Sequence, residues 1–359
     1  MKILHIISDG FQEANSTIWR ASNFLSACYE TQKAECKLIY STDWVKQTKR
    51  NNELCSWADF IIVHRIAIRE SINAIRKWRE KGKVVILDFD DGYKQLNTDD
   101  GNPAGEFWLL GKANVKIESQ KYQINLEEHP LKLLEEAIGT VNAVTVPSLQ
   151  LVQDWKHFGN VFYLENYIKA DRYTHPKYQN DGIYLGWGGS LGHLMSFQHS
   201  GVVEAINKIN NENPKVKLFL VGDKRIIDKC KIKNAVYKPY VVYYDWIKML
   251  SQYDIGLAPL SGEFDMRRSP IKLTEYTTYG LPFVATNCHV YQNYFGTNSG
   301  IFVDNNEKSW YNGMFEVVES LDAFNVRARE NIHIGQSYDI AKNMDNVLDL
   351  YREIKAKTQ

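Results

Sequence analysis

Residues 254–286 read DIGLAPLSGEFDMRRSPIKLTEYTTYGLPFVAT and carry the clearest structural pattern in the chain. The apolar run at 255–259 predicts a buried strand, residues 270–279 predict a helix, and PFVAT at the end predicts a second strand. Pro270 at the first helical position and Gly280 behind the last turn are typical start and stop signals of a helix. A strand, a helix and a strand with short connections indicate a parallel βαβ unit.

The same alternation extends outward in both directions. Further apolar runs predict strands at 2–8, 36–40, 60–64, 84–88, 143–147, 161–164, 183–187, 217–221 and 236–238. Helical patterns stand between them, among others at 15–29, 69–81, 148–158, 196–210 and 244–252. The rhythm fails at 95–132, where we expect a long loop or insertion. We therefore predict two doubly wound α/β domains facing each other across a cleft, at 1–172 and 173–335, and a last helix within 336–359.

Composition excludes several classes of protein. The 359 residues include 43 Lys and Arg and 43 Asp and Glu, so the formal net charge is zero, and 44% are hydrophobic. A disordered chain and a mainly electrostatic nucleic-acid binder are both inconsistent with these values. The five cysteines form no C-x-x-C pair, which argues against a zinc site or a disulfide framework. The first apolar run is short for a signal peptide and no run is long enough for a membrane span, so we expect a cytoplasmic protein.

The charged residues around the helix start at 270 suit a phosphorylated ligand. Ser269 and Pro270 predict a helix N-terminus, whose free amides and positive dipole end favour an anion. Arg267, Arg268 and Lys272 add positive charge at the same place. Glu275 lies on the same helical face as Lys272, where its carboxylate can accept hydrogen bonds from ribose hydroxyls.

This segment resembles the nucleotide-sugar-binding motif of retaining GT-B glycosyltransferases of family 4. The matching residues are Arg268-Ser269-Pro270-Ile271-Lys272-Leu273-Thr274-Glu275-Tyr276, then Gly280 and Pro282. The family carries two glutamates eight positions apart; Glu275 matches the second, while Arg267 stands where the first is expected. The resemblance implies a GT-B fold, two Rossmann-like domains with a C-terminal helix that crosses back to the N-terminal domain.

Other stretches resemble the family in the expected order. IYLGWGGSLGH at 183–193 is similar to its glycine-rich loop, LFLVGD at 218–223 to the next strand and turn, VYKPYV at 236–241 to the base pocket, and ENYIKADRY at 165–173 to the linker. The resemblance implies these nucleotide-sugar-binding residues: Gly189, Ser190, His193, Asp223, Lys224, Tyr240, Arg267, Ser269, Pro270, Ile271, Leu273 and Glu275.

The resemblance places the acceptor on the N-terminal domain. Candidate acceptor-binding residues stand at or near predicted strand ends: Gly10, Phe11, Asn15, His64, Arg65 and Tyr93. Either Asp90 or Asp91 is expected to orient an acceptor hydroxyl or to stabilise positive charge developing on the donor sugar. The D-x-D pattern at 88–90 suggests a metal, but such motifs belong to the GT-A fold and no fourth ligand is near. We expect neither a metal nor another cofactor.

The function predicted is transfer of a sugar from a UDP- or GDP-sugar to an acceptor hydroxyl, with retention and without metal. Arg268 and Lys272 would stabilise the leaving diphosphate. The alternatives are a sugar-nucleotide epimerase or an inverting transferase of the same fold, or a degenerate protein that only binds nucleotides. The acceptor stays open among glycan, lipid, protein and modified nucleic acid. The helix at 69–81 combines cations with Trp78 and two glutamates, which favours a solvated surface over peripheral membrane contact.

Overall fold

The computed structural model describes residues 1–8, 16–65, 68–98, 102–117 and 120–358, and the chain forms two compact units. The N-terminal unit comprises Met1–Tyr167, Arg267–Ser269 and Ile340–Gln359. The C-terminal unit comprises Ile168–Met266 and Pro270–Asp339. The first change of unit follows Tyr167, whereas the sequence analysis predicts a domain boundary at 172.

The N-terminal unit is built on a six-stranded parallel sheet. The strands in the first half of the chain are β1 (Lys2–Ile7), β2 (Glu35–Tyr40), β3 (Phe60–His64), β4 (Val84–Asp88), β5 (Lys112–Ile117), β6 (Gln120–Asn125), β7 (Ala143–Val146) and β8 (Val161–Tyr163). The sheet order is β2-β1-β3-β4-β7-β8, and every pairing is parallel. All five residues of β3 and of β4 are buried, as expected for central strands covered on both faces.

The C-terminal unit contains a second six-stranded parallel sheet. Its strands are β9 (Ile183–Gly189), β10 (Val216–Gly222), β11 (Val236–Pro239), β12 (Ile255–Ala258), β13 (Phe283–Thr286) and β14 (Gly300–Val303). The order β11-β10-β9-β12-β13-β14 puts β9 in the interior, and all pairings are parallel. The prediction of two doubly wound parallel sheets is confirmed, although the sequence analysis did not identify β14.

Helices connect the strands in both units. They are α1 (Asn23–Thr31), α2 (Ser41–Trp44), α3 (Lys49–Trp57), α4 (Arg69–Glu80), α5 (Pro103–Leu110), α6 (Pro130–Thr140), α7 (Leu149–Trp155), α8 (Leu194–Gln198), α9 (Val202–Glu212), α10 (Arg225–Cys230), α11 (Tyr243–Leu250), α12 (Gly262–Asp265), α13 (Ile271–Tyr279), α14 (His289–Gln292), α15 (Glu307–Glu319), α16 (Leu321–Glu330), α17 (Ile332–Gln336) and α18 (Ile340–Thr358). A π-helical turn, Ile18–Ser22, precedes α1.

The segment 95–132, predicted as a long loop or insertion, contains regular structure. Helix α5 begins behind Asn102, whose side chain accepts a hydrogen bond from the amide of Ala104 at 3.2 Å, and it ends at Gly111 in the left-handed conformation. Strands β5 and β6 then form an antiparallel hairpin that is separate from the main sheet. Of the two alternatives predicted, a long irregular loop is wrong for these elements, whereas an insertion is compatible with them.

Helix α18 completes the core of the N-terminal unit. Its buried face includes Ile340, Met344, Val347 and Leu348, which pack in one cluster with residues of β1, β3 and β4. The ring of Tyr351 stacks on Phe60, with ring centroids 5.7 Å apart. The last element of the chain thus belongs to the same hydrophobic core as the first strand.

Candidate functional site

Two glycine-rich strand ends meet in the C-terminal unit. Strands β9 and β10 are parallel neighbours, and their last residues, Gly189 and Gly222, lie opposite each other. Gly222 has a φ of +128°, and a Cβ at this position would lie 2.2 Å from the carbonyl oxygen of Gly189. The amide of Asp223 donates to that same oxygen at 3.1 Å. Exposed Ser190 follows directly, so the backbone is accessible at the carboxyl edge of the sheet.

Lys272 in the first turn of α13 reaches this glycine-rich edge. Its ammonium donates a hydrogen bond to the carbonyl oxygen of Gly188 and lies 4.7 Å from the centre of the Trp187 ring. The structure thereby joins two sequence segments, 183–193 and 268–276, that resemble nucleotide-sugar-binding motifs. A cation and a backbone free of side chains stand together here, which is the arrangement that a diphosphate requires.

Helix α13 begins at Ile271 and not at the predicted Pro270. Pro270 occupies the N-cap position, and no side chain caps the helix. The Ser269 hydroxyl, predicted as the cap, instead accepts a hydrogen bond from the Asn166 side chain at 2.8 Å. The amides of the first turn of α13 have no acceptor within the helix, as at any helix N-terminus. Leu273, which also lies in this turn, has a buried side chain.

Glu275 lies one turn farther along α13 and is only 3% exposed. Its Oε1 accepts hydrogen bonds from Trp246 Nε1 at 2.8 Å and from the Tyr173 hydroxyl at 3.0 Å. Burial raises the pKa of Glu275 to about 7, although these two donors and Lys272 favour the charged form. A carboxyl group with this pKa changes its charge near neutral pH.

The other residues predicted to bind the nucleotide sugar lie near the ends of β9 and β10. His193 packs edge-on against Trp187, with ring centroids 5.3 Å apart. Asp223 pairs with Arg225 at 2.6 Å, and this pairing holds the pKa of the Asp223 carboxyl below its ordinary value. Lys224 is exposed, and Tyr240 is 60% exposed.

The N-terminal unit includes Arg267, Arg268 and Ser269, whereas Lys272 belongs to the C-terminal unit. Arg267 forms an ion pair with Asp154 of α7 at 2.6 Å, and its carbonyl oxygen accepts from the Ser148 hydroxyl at 2.7 Å. The cations that the sequence analysis placed together are therefore divided between the two units. Sequence reasoning missed Asp154, which lies 113 residues from Arg267 and has no distinguishing local pattern.

A second polar cluster lies at the carboxyl ends of β3 and β4. Arg65 donates to Asp90 at 3.1 Å, lies 3.9 Å from Asp91 and also donates to the Ser16 hydroxyl. Arg65 has a φ of +49°, a left-handed conformation that is uncommon for residues other than glycine and that concentrates at functional sites. The predicted residues Arg65, Asp90 and Asp91 are thus neighbours.

His64 and Tyr93 serve packing and internal hydrogen bonds in this structure. His64 is 5% exposed, and its two ring nitrogens lie 3.2 Å from Asp88 Oδ1 and 3.0 Å from His5 Nδ1. Tyr93 is 2% exposed and stacks on Trp108 with ring centroids 4.0 Å apart. Gly10, Phe11 and Asn15, also predicted to bind the acceptor, lie outside the described residues.

The structure adds a buried pair, Arg20 and Asp88, that the sequence analysis did not single out as a site. Arg20 donates to both carboxylate oxygens of Asp88 at 3.0 and 2.5 Å, and Thr145 donates to Asp88 at 2.5 Å. Burial alone would raise the pKa of Asp88, but the Arg20 guanidinium and His64 together outweigh it and hold the pKa well below its usual range. The sequence feature that could have indicated this pair is Asp88, a charged residue at the end of the apolar strand β4.

The cations of α4 are engaged within the protein. Arg69 contacts Glu128 and Glu136 at 2.5 Å each, and Arg76 contacts Glu136 at 2.5 Å. Among residues 1–8, 16–65, 68–98, 102–117 and 120–358, no group of three or more His, Cys, Asp or Glu side chains is arranged to hold a metal ion. Within the same ranges, none of the helices has the length and apolarity needed to span a membrane.

Comparisons with known proteins agree with the resemblance seen in the sequence. Residues 184–320 match the family model described as glycosyl transferases group 1. A search of curated proteins by sequence gives no significant match. The match covers the segment that contains the glycine-rich edge and α13.

Solved structures show the same architecture along the whole chain. Sucrose-phosphate synthase from Thermosynechococcus elongatus has a TM-score of 0.63 at 10% identity, over 99% of this chain and 99% of that one. HepE from Anabaena, solved with UDP-glucose, has a TM-score of 0.64 at 10% identity, over 98% and 100%. A glycosyltransferase from Rickettsia africae has a TM-score of 0.62 at 12% identity, over 98% and 98%. The fold is therefore GT-B, as the resemblance implies.

Proposed function

We propose that this protein is a glycosyltransferase that moves a sugar from a nucleoside-diphosphate sugar to an acceptor hydroxyl. The observation that carries the proposal is the contact of Lys272 with the glycine-rich end of β9, inside the segment that matches group 1 glycosyl transferases. A UDP-sugar is the first donor to examine, since HepE was solved with UDP-glucose.

The chemistry depends on stabilising the leaving diphosphate. Lys272 supplies a fixed positive charge, and the amides of the first turn of α13 supply hydrogen-bond donors and the positive end of a helix dipole. Arg268, which precedes the helix, would add a second cation. Because these groups are held in place before the reaction, they stabilise the developing charge without reorganisation.

The cluster at the ends of β3 and β4 would act on the acceptor side. Asp90, oriented by Arg65, is the carboxylate that we assign to an acceptor hydroxyl or to positive charge on the donor sugar. We further propose retention at the anomeric carbon, reaction without a metal, and a cytoplasmic location, the last supported by five free thiols. The anomer of the product and activity in excess chelator test the first two points.

A direct test combines donor binding with hydrolysis. Wild-type protein is titrated with UDP-glucose, UDP-N-acetylglucosamine and GDP-mannose, and thermal stability and nucleoside diphosphate release are recorded. Lys272→Ala should weaken binding of the active donor about 10- to 100-fold, because a charge-assisted hydrogen bond contributes about 1.5–3 kcal/mol. Lys248→Ala is the matched control, since Lys248 is an exposed lysine of the same unit whose ammonium pairs with Asp245 on α11 at 2.9 Å. Equal affinity in wild type and Lys272→Ala would contradict the assignment.

The alternatives give different products. An epimerase would convert the donor or release free sugar without any acceptor, and an inverting transferase would give the opposite anomer. A degenerate protein would bind nucleoside diphosphate but hydrolyse none of the donors. Arg267 at the position of the first family glutamate is the feature that favours this last possibility, and its ion pair with Asp154 gives it a structural role.

A further inference from the structure

Arg20 is the centre of a buried hydrogen-bond network in the N-terminal unit. It lies in the π-helical turn Ile18–Ser22, and its side chain is 2% exposed. One side of the guanidinium holds Asp88 at the end of β4. The other side donates to the carbonyl oxygens of Leu164 and Glu165 and, at 3.2 Å, to Oδ1 of Asn166. Arg20 thus joins the end of β4 to the segment through which the chain leaves this unit.

Asn166 extends the network to a distant part of the sequence. Its Oδ1 accepts from Arg20, which turns its amide nitrogen toward Ser269, and Nδ2 donates to the Ser269 hydroxyl at 2.8 Å. Asn166 is 7% exposed, so this hydrogen bond is shielded from water. Ser269 is followed directly by Pro270, the N-cap of α13, and Lys272 lies three residues after Ser269.

The contribution of this network to the free energy of unfolding does not by itself explain why Arg20 is buried. Arg20 keeps its charge at every accessible pH, and its burial has to be compensated by Asp88 and three backbone or side-chain oxygens. Buried ion pairs contribute little net stability compared with apolar side chains of the same volume, but they define one geometry. The π-helical turn that presents Arg20 is a rare conformation that recurs at functional sites.

We propose that Arg20 and Asn166 are positioning residues that set the start of helix α13 through Ser269. The network fixes the backbone at Ser269, and the covalent connection through Pro270 carries this constraint into the first turn, where Lys272 lies. The effect of this constraint on donor binding rests on the function proposed above. The effect on the structure of the first turn does not depend on that function.

Asn166→Ala tests the network, with Asn23→Ala as the matched control. Asn23 is also buried, and its side chain donates to the Tyr167 carbonyl at 3.0 Å, in the same connecting segment. Amide hydrogen exchange of residues 274–277 is measured in both variants, since Thr274 is the first residue of α13 whose amide has an acceptor, the Pro270 carbonyl oxygen at 3.1 Å. We expect exchange to rise about three- to tenfold in Asn166→Ala, the effect of one lost hydrogen bond, and to stay at the wild-type rate in Asn23→Ala.

Ser269→Ala provides a second variant that leaves the buried Arg20 contacts intact. It should reproduce the faster exchange at 274–277 even if Asn166→Ala fails to fold. Wild-type exchange in Ser269→Ala, or equal effects of Asn166→Ala and Asn23→Ala, would overturn the proposal.

UDP affinity separates this inference from the proposed function. If the protein binds UDP, Asn166→Ala should weaken that affinity about threefold or more while Asn23→Ala changes it less than twofold. Faster exchange together with a wild-type protein that binds neither UDP nor GDP supports the positioning role and rejects the donor assignment.

Discussion

Asp88 and Glu275 are both buried carboxyl groups, and their pKa values are shifted in opposite directions. At Asp88 burial raises the pKa, but the Arg20 guanidinium and His64 together outweigh it, so the pKa falls and the group stays ionised. At Glu275 burial outweighs the two hydrogen-bond donors and the charge of Lys272, so the pKa rises to about 7. Direct hydrogen bonds from a charged guanidinium at Asp88 and from neutral donors at Glu275 thus accompany two different protonation states.

Glu275→Gln should stabilise the protein at alkaline pH. A carboxyl whose pKa is raised in the folded state contributes stability fully below its unfolded pKa of about 4.3 and loses it as the pH rises through about 7. The increase in the free energy of unfolding caused by Glu275→Gln should therefore be about 2 kcal/mol larger at pH 8 than at pH 5. Urea unfolding at the two pH values measures this difference. A gain that is independent of pH would show that Glu275 does not titrate in this range.

At the level of elements, β9 depends on glycines that leave room for aromatic side chains. A Cβ at Gly186 would lie 1.8 Å from the ring of Tyr253, and one at Gly188 would lie 2.2 Å from the ring of Trp246. Trp246 in turn donates to Glu275. The glycine pattern of β9 thus shapes both the accessible backbone at its end and the surroundings of Glu275.

Gly188→Ala should destabilise the C-terminal unit by about 1–3 kcal/mol, because Trp246 has to move to admit the methyl group. The nearest atom to a Cβ at Gly192, a few residues along, is Ser190 Oγ at 3.4 Å, so Gly192→Ala is a matched control with little expected effect. Denaturant unfolding of both variants gives the comparison. If the two variants were equally stable, Trp246 would not be held against Gly188 as described.

At the level of the whole molecule, the N-terminal unit is assembled from three separated parts of the chain. The first 167 residues supply the sheet, Arg267–Ser269 supply the partner of Asp154, and α18 closes the core. Leu348 is 1% exposed within this core. The folding of the N-terminal unit therefore needs the end of the chain as well as its beginning.

Leu348→Ala should lower the stability of the N-terminal unit by about 2–5 kcal/mol, the usual cost of a cavity in a packed core. Amide exchange should increase in β1 and β3 while β9 and β10 keep their wild-type protection. Asn346→Ala, on the exposed side of the same helix, is the control. Increased exchange in β9 and β10 alone would contradict the assignment of α18 to the N-terminal core.

The features that sequence analysis predicted correctly are those governed by local chemistry. Runs such as FIIVH at 60–64 and VVILD at 84–88 are buried on both faces, and such runs stabilise few structures other than central parallel strands. Residues after neighbouring strands of a parallel sheet meet at one edge, which is why Arg65 and Asp90 could be expected close together. The hairpin of β5 and β6 was missed although β5, KANVKI, alternates polar and apolar residues; its partner β6, QKYQIN, lacks such a regular pattern.

The amino-acid sequence thus specified two parallel α/β sheets, their strand runs and the segment 268–276 that resembles a nucleotide-sugar site. Only the tertiary structure established which charged groups pair: Arg20 with Asp88, 68 residues apart, and Arg267 with Asp154, 113 residues apart. Strand formation depends on the burial of neighbouring residues, whereas pairing and pKa depend on distance and solvent exclusion between residues far apart in the chain. These quantities exist only once the chain has folded.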